Sequence, residues 1–119
     1  MDDIETNNLY SWAWEQWGAD SQIDMLIEEM SELTQALLKS RRNGVVFSHA
    51  VTEEFADVEI CMEQIKKRMI EVGNGTILAV VKDKKLERLK DRLVADAEYI
   101  AQNETSPQKG GQNDPDHSC

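Results

Sequence analysis

Helix-breaking residues are so sparse in this chain that they leave room for little besides long helices. No Gly or Pro falls between Gly18 and Gly44, between Gly44 and Gly73, or between Gly75 and Pro107. Within the first of these segments Ile23, Leu26, Ile27, Met30, Leu33, Leu37 and Leu38 recur at spacings of three and four, which places them on one helical stripe. Val51, Phe55, Val58, Met62, Ile65, Met69 and Val72 do the same in the next, and Leu86, Leu89, Leu93, Ala97 and Ile100 in the last. No strand-like alternation competes over comparable lengths. The segment Leu9 to Trp17 is short; Tyr10, Trp14 and Trp17 share a face while Trp12 lies off it, as in a brief helix covering one end of a bundle. Asp20 or Ser21 can cap the second helix, and Ser48 or Thr52 the third. The expected fold is all-α: an antiparallel bundle of about four helices plus a short N-terminal helix, in one domain over residues 1–102. From Asn103 the chain holds no large apolar residue, and a disordered polar tail is expected over 103–119.

Size and charge narrow the function. A chain of 119 residues with 40% hydrophobic content supports one modest core. Apolar runs such as Ile77 to Val81 fall far short of the roughly 20 residues a membrane span needs, so no membrane partner is expected. Met1-Asp2-Asp3 lacks the basic start of a secretory signal, and Cys61 and Cys119 form no disulfide framework. A soluble cytoplasmic protein is the expectation. With 13 Lys plus Arg against 23 Asp plus Glu, a net charge of -10 opposes binding to a nucleic-acid polymer. A small phosphorylated ligand remains compatible if a metal ion or a local basic cluster reverses the field.

Most of the acids need no explanation beyond a solvated helix face. Glu54 is different: at about 100° per residue it projects inside the arc of Val51, Val58, Cys61 and Ile65, with Asp57 at the edge. A carboxylate on a core-facing stripe is costly unless it is paired or holds a metal. On the second helix Glu29 and Glu32 flank the main stripe, beside Met25 and Ala36, whereas Asp24 and Glu28 point to water. Residues three apart share a face, so Glu29 with Glu32 and Glu54 with Asp57 present two carboxylate pairs that can converge on adjacent helices. Hard divalent ions prefer such oxygen donors and offset their repulsion; Mg²⁺, with Mn²⁺ as a substitute, is the natural occupant, and Mg²⁺ is usually shared with substrate phosphates.

The run Leu26-Ile27-Glu28-Glu29-Met30-Ser31-Glu32-Leu33, followed by Thr52-Glu53-Glu54-Phe55-Ala56-Asp57-Val58, resembles the paired EExxE and EExxD motifs of the MazG-like all-α nucleoside triphosphate pyrophosphohydrolases. The resemblance extends from about Trp17 to Leu93. It implies Glu29, Glu32, Glu54 and Asp57 as magnesium ligands and catalytic residues, with Glu28 and Glu53 as the non-ligand acids of each doublet. It further implies a nucleoside triphosphate substrate, attack of water at the α-phosphorus, and release of a monophosphate and pyrophosphate. Between Lys82 and Arg92 six basic residues face three acids. There Lys85-Leu86 and Arg88 resemble the family's Lys-aromatic-x-Arg phosphate-binding stretch, with Leu86 in place of the aromatic; the same cations also suit intrahelical pairing with Glu87 and Asp91. A homodimer or homotetramer is implied as well.

Trp14 and Trp17 are the candidates for stacking on a base, although aromatics at this spacing more often anchor a core or an interface. His49 has no second ligand at metal spacing. Two other enzyme classes fit less well. An all-α dUTPase-like enzyme generally needs a longer chain, and a di-iron carboxylate bundle needs Glu-x-x-His motifs that are absent. The alternative from another class is a non-catalytic oligomeric helical interaction module, which predicts no metal dependence.

Overall fold

The computed structural model describes residues 1–104 and contains, among them, three helices and no strand: α1 (Asp3–Arg42), α2 (His49–Glu71) and α3 (Gly75–Asn103). The all-α class stands, but the expected count of about four helices plus a short N-terminal one does not. The N-terminal helix begins at Asp3 instead of Leu9, because the Asp2 side chain accepts the Glu5 N–H at 2.8 Å and supplies an N-cap. Nor does it stop at Gly18. The backbone passes through φ 78°, ψ 173° at that residue and resumes its helix, so two expected helices are the arms of one kinked α1. Asp20 and Ser21 lie in the first turn of the second arm, which resumes directly after Gly18.

That backbone region is open essentially to glycine alone. A β-carbon at Gly18 would meet no atom within 4 Å, so a substitution there acts through the backbone only. Gly18→Ala is expected to destabilise the protein by about 1–3 kcal/mol, read as a lower midpoint in chemical denaturation with an unchanged slope.

α1 and α2 form an antiparallel hairpin. Near its open end the Tyr10 hydroxyl donates to Glu63 and the Lys67 ammonium to Ser11 at 2.7 Å, so the start of α1 meets the end of α2. At the closed end Gly44 takes φ 71°, the Val45 N–H donates to the Ser40 carbonyl at 3.0 Å, and the Ser40 hydroxyl donates to the Val45 carbonyl. Ser48, one of the two expected caps, then starts α2 by accepting the Val51 N–H at 3.2 Å.

The hairpin does not pack on the face where α1 is most apolar. Gln22 and Ser40 are buried, and Met25, Leu26, Glu29, Glu32, Leu33 and Ala36 are half-buried, whereas Ile23, Ile27, Met30, Leu37 and Leu38 are exposed. α2 contributes buried Val51, Val58 and Cys61. α2 therefore covers the flank that carries Glu29 and Glu32, which turns two carboxylates toward the other helix.

Residues Met1–Gly75 make one compact unit and the chain from Thr76 a second. In the second, α3 holds Leu86, Leu89, Leu93 and Ile100 exposed along its length. Among the described residues no helix is long and apolar enough to cross a membrane. The tail expected over 103–119 lies, apart from Asn103 and Glu104, outside the described residues.

Candidate metal centre

Two helices and three side chains build the site. Glu29 comes from the α2-facing flank of α1, while Glu54 and Asp57 stand one turn apart on α2. Each offers a carboxylate oxygen, and these three atoms lie within 4.8 Å of one another. Asp57 is exposed and the two glutamates are half-buried.

The exposure of the glutamates is uneven within each carboxyl. Oε2 of Glu29 and Oε2 of Glu54 are closed off from solvent and have no hydrogen-bond partner. Burial pushes the pKa of Glu29 up, and repulsion from Glu32, Asp57 and Glu54 adds to it. Glu54 is raised in the same way, by burial first and then by Glu32, Asp57 and Glu53. A hydrogen bond from either to Glu32 needs a proton held between two carboxyl groups, which leaves the fully ionised cluster without one. Buried oxygens of this kind are costly when unpartnered.

Cys61, one turn beyond Asp57, is a buried free thiol. Burial pushes it up, and the negative charges of Glu29 and Asp57 push it further. Nothing cationic offsets these charges from within the group.

The donor set suits a hard divalent ion: it consists of oxygen alone and includes two desolvated atoms lacking a partner. Glu32 lies outside the three-oxygen cluster, yet its charge comes first among those that raise Glu54 and Glu29. Of the two acids that resemble non-ligand positions, Glu28 is exposed and Glu53 pairs with His49 at 2.9 Å. That pair also gives His49 a partner on the surface of α2.

The remaining candidates separate. Lys85 and Arg88 are exposed on α3, in the second unit. Trp14 is half-buried against α2, with the Arg68 guanidinium 5.8 Å from its ring centroid, a cation–π contact that uses one face of the ring. Trp17 instead lines a groove of about 350 Å³ together with Leu9, Trp12, Ala13 and Gln16. Trp12, off the face of Tyr10, Trp14 and Trp17 on an ideal wheel, shares this groove. Gln22, buried with its Nε2 unpartnered, was not among the sequence candidates; its place seven residues before Glu29, two turns along the same flank, is the signal that was available.

Compared with protein-family models, with curated proteins and with solved structures, the chain finds no match.

The carboxylates carry a consequence for metal-free stability. A carboxyl whose folded pKa is raised binds its proton more tightly folded than unfolded, so its stabilising effect is present at low pH and is lost as pH rises through the folded pKa. Glu29 and Glu54 both shift this way. In the presence of a chelator the melting temperature is expected to rise as pH is lowered from about 7 to about 5, and the slope to be smaller in Glu54→Gln. An equal slope in both proteins would assign the effect to the rest of the acidic surface.

Proposed function

We propose that the protein is a metal-dependent nucleoside triphosphate pyrophosphohydrolase whose centre is Glu29, Glu54 and Asp57, with Glu32 beside them. The observation that carries this reading is the pair of desolvated carboxylate oxygens without partners, on two helices, facing a third carboxylate. The spacing of the four acids and their resemblance to the MazG-like motifs supply the substrate class.

In this reading Glu29, Glu54 and Asp57 hold Mg²⁺ or Mn²⁺. When bound, the ion neutralises charge on the triphosphate and lowers the pKa of a bound water. Glu32 is the group free to accept the proton of the attacking water, because it is next to the cluster without belonging to it. Attack at the α-phosphorus forms a P–O bond and breaks the bridging bond to the β-phosphate, releasing a nucleoside monophosphate and pyrophosphate. For Lys85 and Arg88 on α3 the resemblance supplies a phosphate-binding role. Trp14, held under Arg68, is assigned to packing rather than to a base. The protein acts as a homodimer or homotetramer in the cytoplasm.

The test is pyrophosphate release from a panel of canonical and modified nucleoside triphosphates with and without Mg²⁺. Turnover of at least one substrate, abolished by chelator, is expected. No turnover of any triphosphate would leave the second reading, a non-catalytic helical interaction module, which the exposed Ile23, Ile27, Leu37 and Leu38 favour.

A further inference from the structure

The two arms of α1 are fastened to α2 by different means. After Gly18 the contact is built on burial: Gln22 and Ser40 are buried, Leu26, Leu33 and Ala36 are half-buried, and α2 contributes buried Val51, Val58 and Cys61. Before Gly18 no residue is buried, and Ile4, Leu9, Trp12 and Trp17 are exposed. What holds residues 3–17 is mostly polar. The Tyr10 hydroxyl donates to Glu63, the Lys67 ammonium donates to Ser11 at 2.7 Å, and the Arg68 guanidinium lies 5.8 Å from the Trp14 ring centroid.

Such contacts cost little to release. Lys67 is also paired with Glu71 at 2.6 Å, and Arg68 with Glu71 at 3.3 Å, so both cations keep a partner when the arm leaves. Glu63 is exposed and Tyr10 and Ser11 are half-buried, so water can replace each hydrogen bond, and exchange of one for the other is nearly balanced. The junction is not clamped either. Gly18 has φ 78° and ψ 173°, and a β-carbon there would meet nothing within 4 Å. Once detached, a helix as short as residues 3–17 is marginal in water, so release and unwinding go together.

We infer that residues 3–17 form a latch, which docks on the end of α2 and is released from it as one unit at Gly18 while the rest of the hairpin stays folded. Local opening of this kind is drawn from the parts of a protein with the least buried apolar contact, and here that part ends at a single residue. Release opens the cavity of about 110 Å³ that Tyr10, Ser11 and Trp14 share with Gln64, Lys67 and Arg68, and it frees the Trp14 ring. Glu29, Glu54 and Asp57 lie on the part that stays closed. The inference does not depend on the proposed activity.

The experiment is residue-resolved amide hydrogen exchange on the full chain, wild type and Tyr10→Phe. In the wild type, amides of residues 7–17 are expected to share one exchange rate, at least about 100-fold faster than that of residues 25–38 of the same helix. Tyr10→Phe removes one docking hydrogen bond to a carboxylate and is expected to speed all of residues 7–17 by a common factor of roughly ten, leaving residues 25–38 unchanged. Protection of the two arms to the same extent would overturn the inference. So would rates graded from the N-terminus and unmoved by Tyr10→Phe, which would mean end fraying, or acceleration of both arms together, which would make α1 one cooperative unit.

Discussion

Replacing Glu54 with glutamine is expected to abolish pyrophosphate release and, at the same time, to raise the melting temperature of the metal-free protein. The two effects have one cause. In the absence of metal, Glu54 holds an oxygen away from solvent without a partner, beside Glu32 and Asp57. The amide is nearly isosteric, removes one of the like charges and adds an N–H that can donate to a neighbouring carboxylate. Removing an uncompensated charge from such a place is stabilising, and a rise of a few degrees is expected. Catalysis should fall by at least about 100-fold, the upper end of what loss of even a supporting partner of a metal ligand costs. A variant that loses activity and stability together would indicate damage to the α1–α2 contact. One that keeps full activity would remove Glu54 from the centre.

Metal should reverse the stability order. A ligand that binds only the folded state contributes RT ln(1 + [L]/Kd), or about 2.7 kcal/mol at a hundredfold excess over Kd. For a domain of this size that corresponds to roughly 10 °C in the melting temperature. Wild type is expected to gain this amount on saturation with Mg²⁺ or Mn²⁺, and Asp57→Asn to gain much less. Asp57 is the informative position because it is exposed: its replacement perturbs no packing, so a reduced metal effect reports on ligation. Equal gains in the two proteins would place the ion elsewhere.

The carboxylate pattern was legible in the sequence because a helix repeats every 3.6 residues and burial follows that period. Glu54 fell inside the arc of Val51, Val58 and Cys61, and in the structure it is half-buried while Asp57, at the edge of that arc, is exposed. On α1 the same reasoning identified the apolar stripe but not the side on which α2 would pack. Ile23, Ile27 and Leu38 outweigh Met25 and Ala36 in apolar area, yet α2 covers the latter pair along with Glu29. Burial within one hairpin settles only part of a stripe when a helix has two apolar flanks.

Helix number was misread for a local reason. Gly18 carries the mark of a helix end, since glycine is common where a helix stops, and the aromatic segment before it looked self-contained. Its dihedral angles are non-helical, so the helix is interrupted at Gly18, but it resumes at once without the connecting loop that would separate two elements. Trp12 and Trp17 were separated on an ideal wheel and share a groove in the structure.

Whether Glu29, Glu54 and Asp57 hold a divalent ion is tested most directly by anomalous diffraction from crystals of the wild-type protein soaked in Mn²⁺. A peak is expected at coordination distance from carboxylate oxygens of all three residues, lost in crystals of Glu54→Gln. Crystals that show no peak between α1 and α2, or a peak only at other acids, would contradict it.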